Sequence, residues 1–382
     1  MDRNMKKWHS YKLSDVVRFN PSERLLKGEI AKKVPMDLLQ PYTRGISGFE
    51  MASYTGGSKF RNGDTLMARI TPCLENGKTA YVSMLDEDEV GFGSTEYIVF
   101  RNIEGITDNK FVYYFVTSPW FRDIAVKSMV GSSGRQRVQQ AMLENLVVNL
   151  PPLAEQKQIA GILGALDDKI ELNRCINDNL EEQAKALFNH YFIQNTENLG
   201  EWQDGVLTDI AQYLNGLAMQ KYPAMPNEAG LPVLKIKELG QGQCDTNSDR
   251  CSSLIKPEYI ISDGTIIFSW SGTLLVDIWC GGKCGLNQHL FKVSSAKYPQ
   301  WFVFYWTKHH LNKFIRIAKD KAVTMGHIKR CDLEISKVKI PSKQALVNLD
   351  KLFSPIFNRM VTCRIENRKL SSLRDTDRKS VV

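Results

Sequence analysis

Residues 151–192 constrain the fold more than any other part of this sequence. Two prolines open the stretch, at the position where a helix leaves its first amides unpaired anyway, and no proline follows them. Apolar side chains then recur at heptad spacing, interrupted by Asn173 and Asn177. One row holds Ile159, Leu166, Leu180 and Leu187, and the other holds Leu163, Ile170, Ala184 and Tyr191. Such a narrow stripe suits one partner helix, and the helix would be roughly 60 Å long.

A second stretch, residues 342–382, has a similar pattern. Its apolar rows are Leu346, Phe353 and Met360 on one side and Leu349, Ile356, Cys363 and Leu370 on the other, with Asn367 in the seam. The sequence therefore predicts a second long helix. Polar seam residues often fix the register of a helix pair, so the asparagines are candidates for that role.

The segments before the two helices repeat one another. Residues 1–150 hold short apolar runs typical of strands at 65–70, 79–82 and 96–100, a helix over 111–126 interrupted near Pro119, a loop at 131–137 and a strand at 143–150. Residues 200–341 show the same order, with 263–268 matching 63–67 and further matching segments at 288–293, 301–318, 326–330 and 333–341. A repeat of this period is a strong sign of duplicated architecture.

The predicted fold class is α+β, with two similar mixed α/β globules separated by two long antiparallel coiled-coil helices. The boundaries are 1–150 for the first globule, 151–199 for the first helix and its linker, 200–341 for the second globule and 342–382 for the second helix. Because each globule connects directly to the next helix, paired helices must run antiparallel, and we expect one globule at each end of them.

Composition is that of a folded protein, with 43% hydrophobic residues. No apolar run approaches the roughly 20 residues needed to cross a membrane, and the N-terminus has no apolar signal core, so we expect a cytoplasmic protein. The eight cysteines include no CxxC pair, which favours free thiols in a reducing compartment. Cys280 and Cys284, with Cys244 and Cys251, leave a zinc site as the alternative, although their spacing matches no standard ligand pattern.

Motifs of catalysis are missing from the sequence. No GxxxxGK[ST] motif occurs, which excludes a P-loop ATPase, and Gly91-Phe92-Gly93 reads as a turn between strands, not as a cofactor loop. The acid and base of Glu75-Asn76-Gly77-Lys78 are one residue too far apart for the usual nuclease arrangement, and the six histidines show no ligand spacing. We therefore expect a chain that is not itself an enzyme, with an unrecognised active site as a minor alternative.

Side chains suited to nucleic acid occur instead at equivalent places in both globules. A net charge of +8 permits a polyanionic partner without demanding one. Exposed amides, hydroxyls and guanidinium groups grip phosphates and read guanine edges. The candidates in the first globule, at strand ends and in the 131–137 loop, are Arg69, Lys78, Ser94, Thr95, Glu96, Ser132, Ser133, Arg135, Gln136 and Arg137. The candidates in the second globule are Ser269, Ser271, Gln288, His289, Lys321, Thr324, His327, Lys329 and Arg330.

The whole chain resembles the specificity subunits of type I restriction–modification systems. Beyond the alternation of globules and helices, the resemblance rests on the junction Asn149-Leu150-Pro151-Pro152-Leu153-Ala154-Glu155-Gln156, on Gly93-Ser94-Thr95-Glu96-Tyr97 and on Lys339-Ile340-Pro341-Ser342. The second junction departs from the family pattern, because Ser342-Lys343-Gln344 stands where Pro-Leu-Ala-Glu-Gln is expected.

This resemblance implies a non-catalytic subunit that reads double-stranded DNA. Each globule would recognise one half of a split, asymmetric target, and the helices would set the spacing. Two methyltransferase subunits and two restriction–translocase subunits would be the partners, and AdoMet, ATP and magnesium would belong to those partners. The alternative from another class is a non-catalytic coiled-coil scaffold that binds protein, with its basic loops merely solvated.

Overall fold

The computed structural model describes residues 8–132, 134–194, 202–320 and 327–378. The chain forms two compact units, one made of residues 1–171 with 370–382 and the other of residues 172–369. Each unit combines one globule with parts of both long helices. Within the described ranges, no helix has the length and apolarity needed to cross a membrane.

The described residues of the first globule form ten short strands and four short α-helices. In chain order they are β1 (His9–Lys12), α1 (Leu13–Val16), β2 (Val17–Phe19), β3 (Ile30–Val34), β4 (Glu50–Ser53), β5 (Lys59–Phe60), β6 (Thr65–Ala68), β7 (Thr79–Tyr81), β8 (Gly91–Gly93), β9 (Tyr97–Asn102), α2 (Asn109–Val116), α3 (Pro119–Lys127), α4 (Gln140–Glu144) and β10 (Val147–Leu150). The long helix α5 (Leu153–Phe188) follows, with a π-helical turn at Asn189–Gln194.

The second globule and its helix follow the same plan. Its elements are β11 (Gln203–Val206), α6 (Leu207–Ile210), β12 (Gln212–Asn215), β13 (Leu231–Leu234), α7 (Ile236–Gln241), β14 (Arg250–Cys251), β15 (Ile260–Ile261), β16 (Thr265–Ser269), β17 (Leu275–Trp279), β18 (Cys284–Leu286), β19 (Leu290–Ser294), α8 (Gln300–Asp320), α9 (Arg330–Glu334), β20 (Lys337–Ile340) and α10 (Lys343–Arg378).

Strand order shows that the two globules are copies of one fold. The first has sheets β2-β9-β6-β7 and β4-β3-β8-β5 and the ribbon β1-β10, and the second has β12-β19-β16-β17, β14-β13-β18-β15 and β11-β20. Among the strands that the structure describes, the parallel pairing is that of β3 with β8 in the first copy and of β13 with β18 in the second. The predicted fold class and internal repeat are confirmed.

Local sequence explains where the helices of the first globule begin and end. The side chain of Asp108 accepts a hydrogen bond from the amide of Phe111 and caps α2. Ser118 caps α3 in the same way, with Pro119 in its first turn, so the predicted break at Pro119 is confirmed. The second globule has no proline at this place, and α8 continues unbroken.

Two local predictions were wrong. Leu143 and Leu333 were expected on strands, but they lie buried on the short helices α4 and α9, and the strands begin only at Val147 and Lys337. Gly91 and Gly93, expected in a turn, lie within strand β8. A Cβ atom on Gly91 would lie 2.5 Å from the ring of Phe60, and one on Gly93 would lie 2.6 Å from the ring of Tyr97. These glycines let aromatic rings pack against the strand.

The long helices pair antiparallel within each unit. In the second unit Asn173 contacts Asn367. Phe192, in the turn that follows α5, contacts Phe353 edge-on at 6.3 Å between ring centroids. In the first unit the carboxylate of Asp167 accepts a hydrogen bond of 2.7 Å from Arg374. Within the second unit, the later residue Phe192 thus contacts an earlier position on α10 than Asn173 does, so these helix segments run antiparallel.

The buried faces of these helices are wider than the predicted seam. Leu163, Ile170, Asn173, Leu349, Phe353 and Met360 are buried, whereas Ile159, Leu166, Asn177, Leu180, Leu187, Ile356, Asn367 and Leu370 are half-buried. Ala160, Asp167, Phe188 and Phe357, next to predicted seam positions, are buried as well. The reason is that each helix also packs on a globule: Phe188 contacts Trp306, and Phe357 contacts Phe304.

Candidate nucleic-acid interface

The central sheet of the first globule ends in a polar corner. Strand β6 is followed by Arg69, and strand β9 is preceded by Glu96, with the amide of Arg69 donating to the carbonyl of Glu96 at 2.9 Å. The chain after the 131–137 loop joins them, because the amide of Val138 donates to the carbonyl of Arg69 at 2.8 Å and Arg137 forms a β-bridge with Ile70. We call Arg69, Glu96 and Arg137 the first corner.

Side chains of the first corner carry a guanidinium–carboxylate pair. Arg137 donates through Nη2 to Glu96 Oε1 at 2.6 Å and through Nε to Oε2 at 2.9 Å. The hydrogen bond from Arg137 lowers the pKa of Glu96 below its ordinary value. The Arg137 side chain stays 45% exposed and that of Glu96 22%. Arg69 donates through Nη2 to the carbonyl of Val138 at 3.3 Å, while its buried Nε has no hydrogen-bond partner within the described ranges.

The 131–137 loop is shaped by its glycines. Gly131 and Gly134 have φ angles of +133° and +79°, a conformation that L side chains rarely adopt. Val130 and Arg137 exchange backbone hydrogen bonds at the base of the loop, which turns Ser132 and Arg135 outward. The Arg135 side chain makes no hydrogen bond or ion pair with any residue that the structure describes. Ser133 lies outside the described residues.

The second globule has the same backbone frame at the equivalent place. The amide of Trp270 donates to the carbonyl of His289 at 3.3 Å, and the amide of Ile328 donates to the carbonyl of Trp270 at 2.9 Å. Ser271 and His327 form the β-bridge that corresponds to the bridge of Ile70 with Arg137. We call Trp270, His289 and His327 the second corner.

Aromatic and neutral polar groups make up the second corner. The Trp270 ring lies 6.1 Å from the His289 ring and 6.3 Å from the His327 ring. Trp270 donates through Nε1 to Asn215 Oδ1 at 2.9 Å, and the hydroxyl of Ser271 lies 2.9 Å from His289 Nδ1. Hydroxyl, amide and imidazole groups of this kind both donate and accept hydrogen bonds.

Comparison with known proteins identifies the fold and the family. Residues 5–182 match the family model described as "Type I restriction modification DNA specificity domain". This part of the chain belongs to the type I restriction–modification specificity family. The resemblance drawn from the sequence motifs is thereby confirmed.

Individual relatives of the specificity family extend the match. The chain is 33% identical over 207 residues to the EcoAI specificity subunit of Escherichia coli, covering 53% of this chain and 33% of that protein. It is 29% identical over 268 residues to the E. coli EcoEI specificity subunit, covering 65% of this chain and 43% of that protein. The matched segments thus span less than half of either relative. The crystal structure of the type I S subunit from M. genitalium has the same fold, with a TM-score of 0.56 at 16% identity, covering 100% of this chain and 98% of that one.

The remaining predicted residues lie in varied surroundings. Thr95, Lys329 and Arg330 are exposed, and Arg330 approaches Glu334 at 3.6 Å. Near the corners, Gln136 and Gln288 are half-buried, and the hydroxyl of Ser94 accepts from the amide of Glu96 at 3.1 Å. Lys321 and Thr324 lie outside the described residues.

Two of the predicted DNA-binding side chains, Lys78 and Ser269, form hydrogen bonds within the first and second globules respectively. Lys78 donates through Nζ to the carbonyl of Met36 at 2.8 Å. Ser269 is fully buried, and its hydroxyl donates to the carbonyl of Thr273 at 2.8 Å, so it shapes the turn after β16 and is not exposed as predicted. Both side chains support the sheet on which the corners lie.

Sequence reasoning missed Trp270 and Asn215. The repeat itself contained the signal, because Arg69 was a candidate and Trp270 occupies its place in the second copy. The repeat pattern placed residue 263 opposite Gly63, one residue out of register. In the structure Gly264 corresponds to Gly63, because the two amides donate equivalent hydrogen bonds to the carbonyls of Trp279 and Val82. A correct register would have pointed to Trp270.

The cysteines considered for zinc lie in and around the second globule's core. Within the described ranges, no group of three or more His, Cys, Asp or Glu side chains is arranged to hold a metal ion. Burial raises the pKa of the Cys244 and Cys280 thiols to about 11 each and that of Cys284 further. Burial therefore favours the neutral thiol form, which binds metals poorly.

Proposed function

We propose that this protein is the DNA-recognition subunit of a type I restriction–modification complex. Each globule binds one half of a split, asymmetric target, and the long helices set the spacing and dock methyltransferase subunits. The observation that carries the proposal is the repeated corner: one backbone frame occurs twice in a chain whose residues 5–182 match the specificity family, and it presents different, at least partly exposed side chains each time. Two readers of this kind suit a target with two unlike halves.

The chain itself supplies recognition and no chemistry. The two corners offer donors and acceptors for base edges and phosphates. Methyl transfer, ATP hydrolysis and DNA cleavage then belong to two methyltransferase and two restriction–translocase subunits, together with AdoMet, ATP and magnesium. Such a complex acts on chromosomal DNA in the cytoplasm.

Methylation sequencing tests this function directly. The gene is expressed with its methyltransferase partner in a host lacking other adenine methyltransferases, and modified adenines are mapped across the genome. The expected result is a split motif, methylated in both halves, that disappears when this gene is deleted. Unchanged methylation with both proteins present would favour the scaffold alternative, in which the globules bind protein.

Salt dependence separates the same two functions in vitro. Binding through several phosphates releases counterions, so the affinity of the assembled complex for DNA should fall steeply as salt rises. A protein interface built on the apolar helix seam should persist over the same range. Loss of DNA binding together with retention of subunit assembly at high salt is the expected outcome.

A further inference from the structure

The two corners differ in side chains where their backbones agree. Three equivalent positions hold Arg69 and Trp270, Glu96 and His289, and Arg137 and His327, as the matched hydrogen bonds and bridges establish. Every one of these pairs changes chemical class: a guanidinium becomes an indole, a carboxylate becomes an imidazole, and a second guanidinium becomes an imidazole.

Buried neighbours of the corners keep their character. Val138 and Ile328, which follow the third position in each copy, are both apolar and at most 2% exposed. Met67 and Phe268, on the strands leading into the corners, are apolar and fully buried. Side chains therefore vary at the surface of a constant frame. Because backbone contacts position a protein on DNA and side chains specify its sequence, this pattern is expected of residues that read two different half-sites.

We infer that these three equivalent positions determine the sequence specificity of the two globules, and that the first corner reads a guanine–cytosine pair; the inference rests on the proposed function. In the first corner Glu96 binds the Nε–Nη2 edge of the Arg137 guanidinium, and Nη1 has no hydrogen-bond partner among the described residues, so the Nη1–Nη2 edge remains available to a base. A guanidinium fork donates to guanine O6 and N7, and a carboxylate accepts from the cytosine amino group. Both partners of one base pair match this pair of side chains.

The second corner reads through different groups. Its imidazole rings and the half-buried amide of Gln288 both donate and accept hydrogen bonds, and none of these groups is a guanidinium, while the buried hydroxyl of Ser271 lies against His289. The Trp270 ring packs beside the rings of His289 and His327 and limits the rotamers that these side chains can adopt. A base pair at this corner is therefore recognised without a guanidinium group, and the two half-sites differ at these positions.

A purely structural role for the Arg137–Glu96 pair predicts a different outcome. An ion pair between partly exposed side chains contributes little to stability, so a structural pair could be removed without consequence for the target. The exposure of Arg137 also means that its replacement leaves the core intact. Folding and sequence preference can therefore be measured separately in the same variants.

The experiment compares three variants of the full chain, each expressed with the methyltransferase partner. Arg137→Gln and His327→Gln change one position in each corner, and Lys33→Gln removes a charge from an exposed ion pair with Glu50 at 3.6 Å on the other sheet of the first globule. Adenine methylation is mapped by sequencing, and the fraction modified is tabulated for every base at every position of the motif.

Arg137→Gln should relax or change one position of one half-site, lowering the preference for its guanine–cytosine pair about tenfold or more. His327→Gln should alter the other half-site only, and Lys33→Gln should leave both halves unchanged. Glu96→Gln should relax the same position as Arg137→Gln, which keeps the test decisive if Arg137→Gln assembles poorly.

Three results would overturn the inference. They are an unchanged motif in both corner variants, a change in the same half-site by both, or a relaxed position that is not guanine–cytosine in the wild type. Absence of any methylation motif with the wild-type chain would refute the proposed function instead. The two failures are thus distinguishable.

Discussion

Asn173 donates a hydrogen bond through Nδ2 to Asn367 Oδ1 at 2.9 Å, between the two long helices of the second unit. Asn173 is fully buried and also donates to Glu366 Oε2 at 2.8 Å, while its own Oδ1 lacks a partner within the described ranges. A polar contact that leaves one acceptor unsatisfied costs stability, but it permits only one register of the helix pair.

Replacing Asn173 by alanine should lower the free energy of unfolding by about 1 to 3 kcal/mol, because Glu366 and Asn367 lose a buried donor. The double variant Asn173→Leu/Asn367→Leu should instead be as stable as the wild type or more so, but it should populate several registers. Urea unfolding measures the first effect, and hydrogen exchange along α5 and α10 measures the second. A double variant with a single, wild-type exchange pattern would show that the asparagines do not set the register.

The sequence predicted which residues lie in the seam of this helix pair, but not the contacts that they make with distant residues. Asn173 and Asn367 were predicted to be in the seam because each interrupts an apolar heptad. Their pairing could not be predicted, since Asn177 was an equal candidate and register depends on both helices. Phe188 and Phe357 were not predicted to be buried, because they pack on aromatic residues of the globule that lie far away in sequence.

The same limit applies to the candidate interface. Arg137 could be predicted from the composition of its loop, and the loop's glycines indicated an exposed turn. The pairing of Arg137 with Glu96, 41 residues earlier, could not be predicted, because it depends on the register of the sheet. Ser269 illustrates the converse, because a serine at a strand end is exposed or buried according to the turn that follows.

A second polar contact distinguishes the first unit from the second. Asp167 on α5 accepts hydrogen bonds from Tyr114 at 2.8 Å and from Arg374 at 2.7 Å, and all three side chains are buried. Replacing Arg374 by leucine should lower the free energy of unfolding by about 3 to 5 kcal/mol, because the Asp167 carboxylate would stay buried without its charged partner. Thermal unfolding of the variant and the wild type measures the loss.

The second unit supplies the matched control for this prediction. Counted from the equivalent helix starts Leu153 and Lys343, and from Thr117 and Thr307, which each donate to the carbonyl four residues earlier, its equivalent positions hold apolar side chains of one hydrophobic cluster: Phe304, Phe357 and Ala184. Copying them into the first unit as Tyr114→Phe/Asp167→Phe/Arg374→Ala should recover most of the stability, since an apolar cluster replaces a buried charge pair at little cost. If the triple variant were less stable than Arg374→Leu alone, packing and not charge would dominate at this contact.

Acid should destabilise the second globule through His310. The pKa of His310 is lowered from 6.5 to about 4, mainly by burial and to a smaller extent by His309 and Lys313, while the hydrogen bond of 2.8 Å to the Lys337 carbonyl acts in the opposite direction. The folded state thus favours the neutral ring. Protonation of His310 therefore does not affect the free energy of unfolding above about pH 6.5. As the pH falls from 6.5 towards 4, the free energy of unfolding decreases by at most about 3 kcal/mol.

The variant His310→Phe isolates this effect. It keeps a ring against Trp306 but cannot be protonated, so its unfolding free energy should change less between pH 7 and pH 4.5 than that of the wild type. At pH 7 it should be slightly less stable, because the Lys337 carbonyl loses its donor. Equal slopes for His310→Phe and wild type would assign acid sensitivity to other groups.

Arg135 should contribute affinity without sequence preference. Its side chain is exposed on the glycine-shaped loop beside the first corner and makes no hydrogen bond or ion pair with the described residues, so it is available to a phosphate. In the assembled complex, Arg135→Gln should weaken binding to all DNA sequences about equally. It should also reduce the slope of log K against log salt concentration by about 1, because one fewer counterion is released.

Fluorescence anisotropy over 50 to 300 mM salt, with target and non-target duplexes, measures both quantities. Arg137→Gln serves as the matched variant, because it removes the same charge a short distance along the loop but should change base preference as well. Lys33→Gln, on the other sheet, should change neither quantity. A slope that stays at the wild-type value in Arg135→Gln would mean that Arg135 contacts no phosphate, and a loss confined to target DNA would make it a base reader.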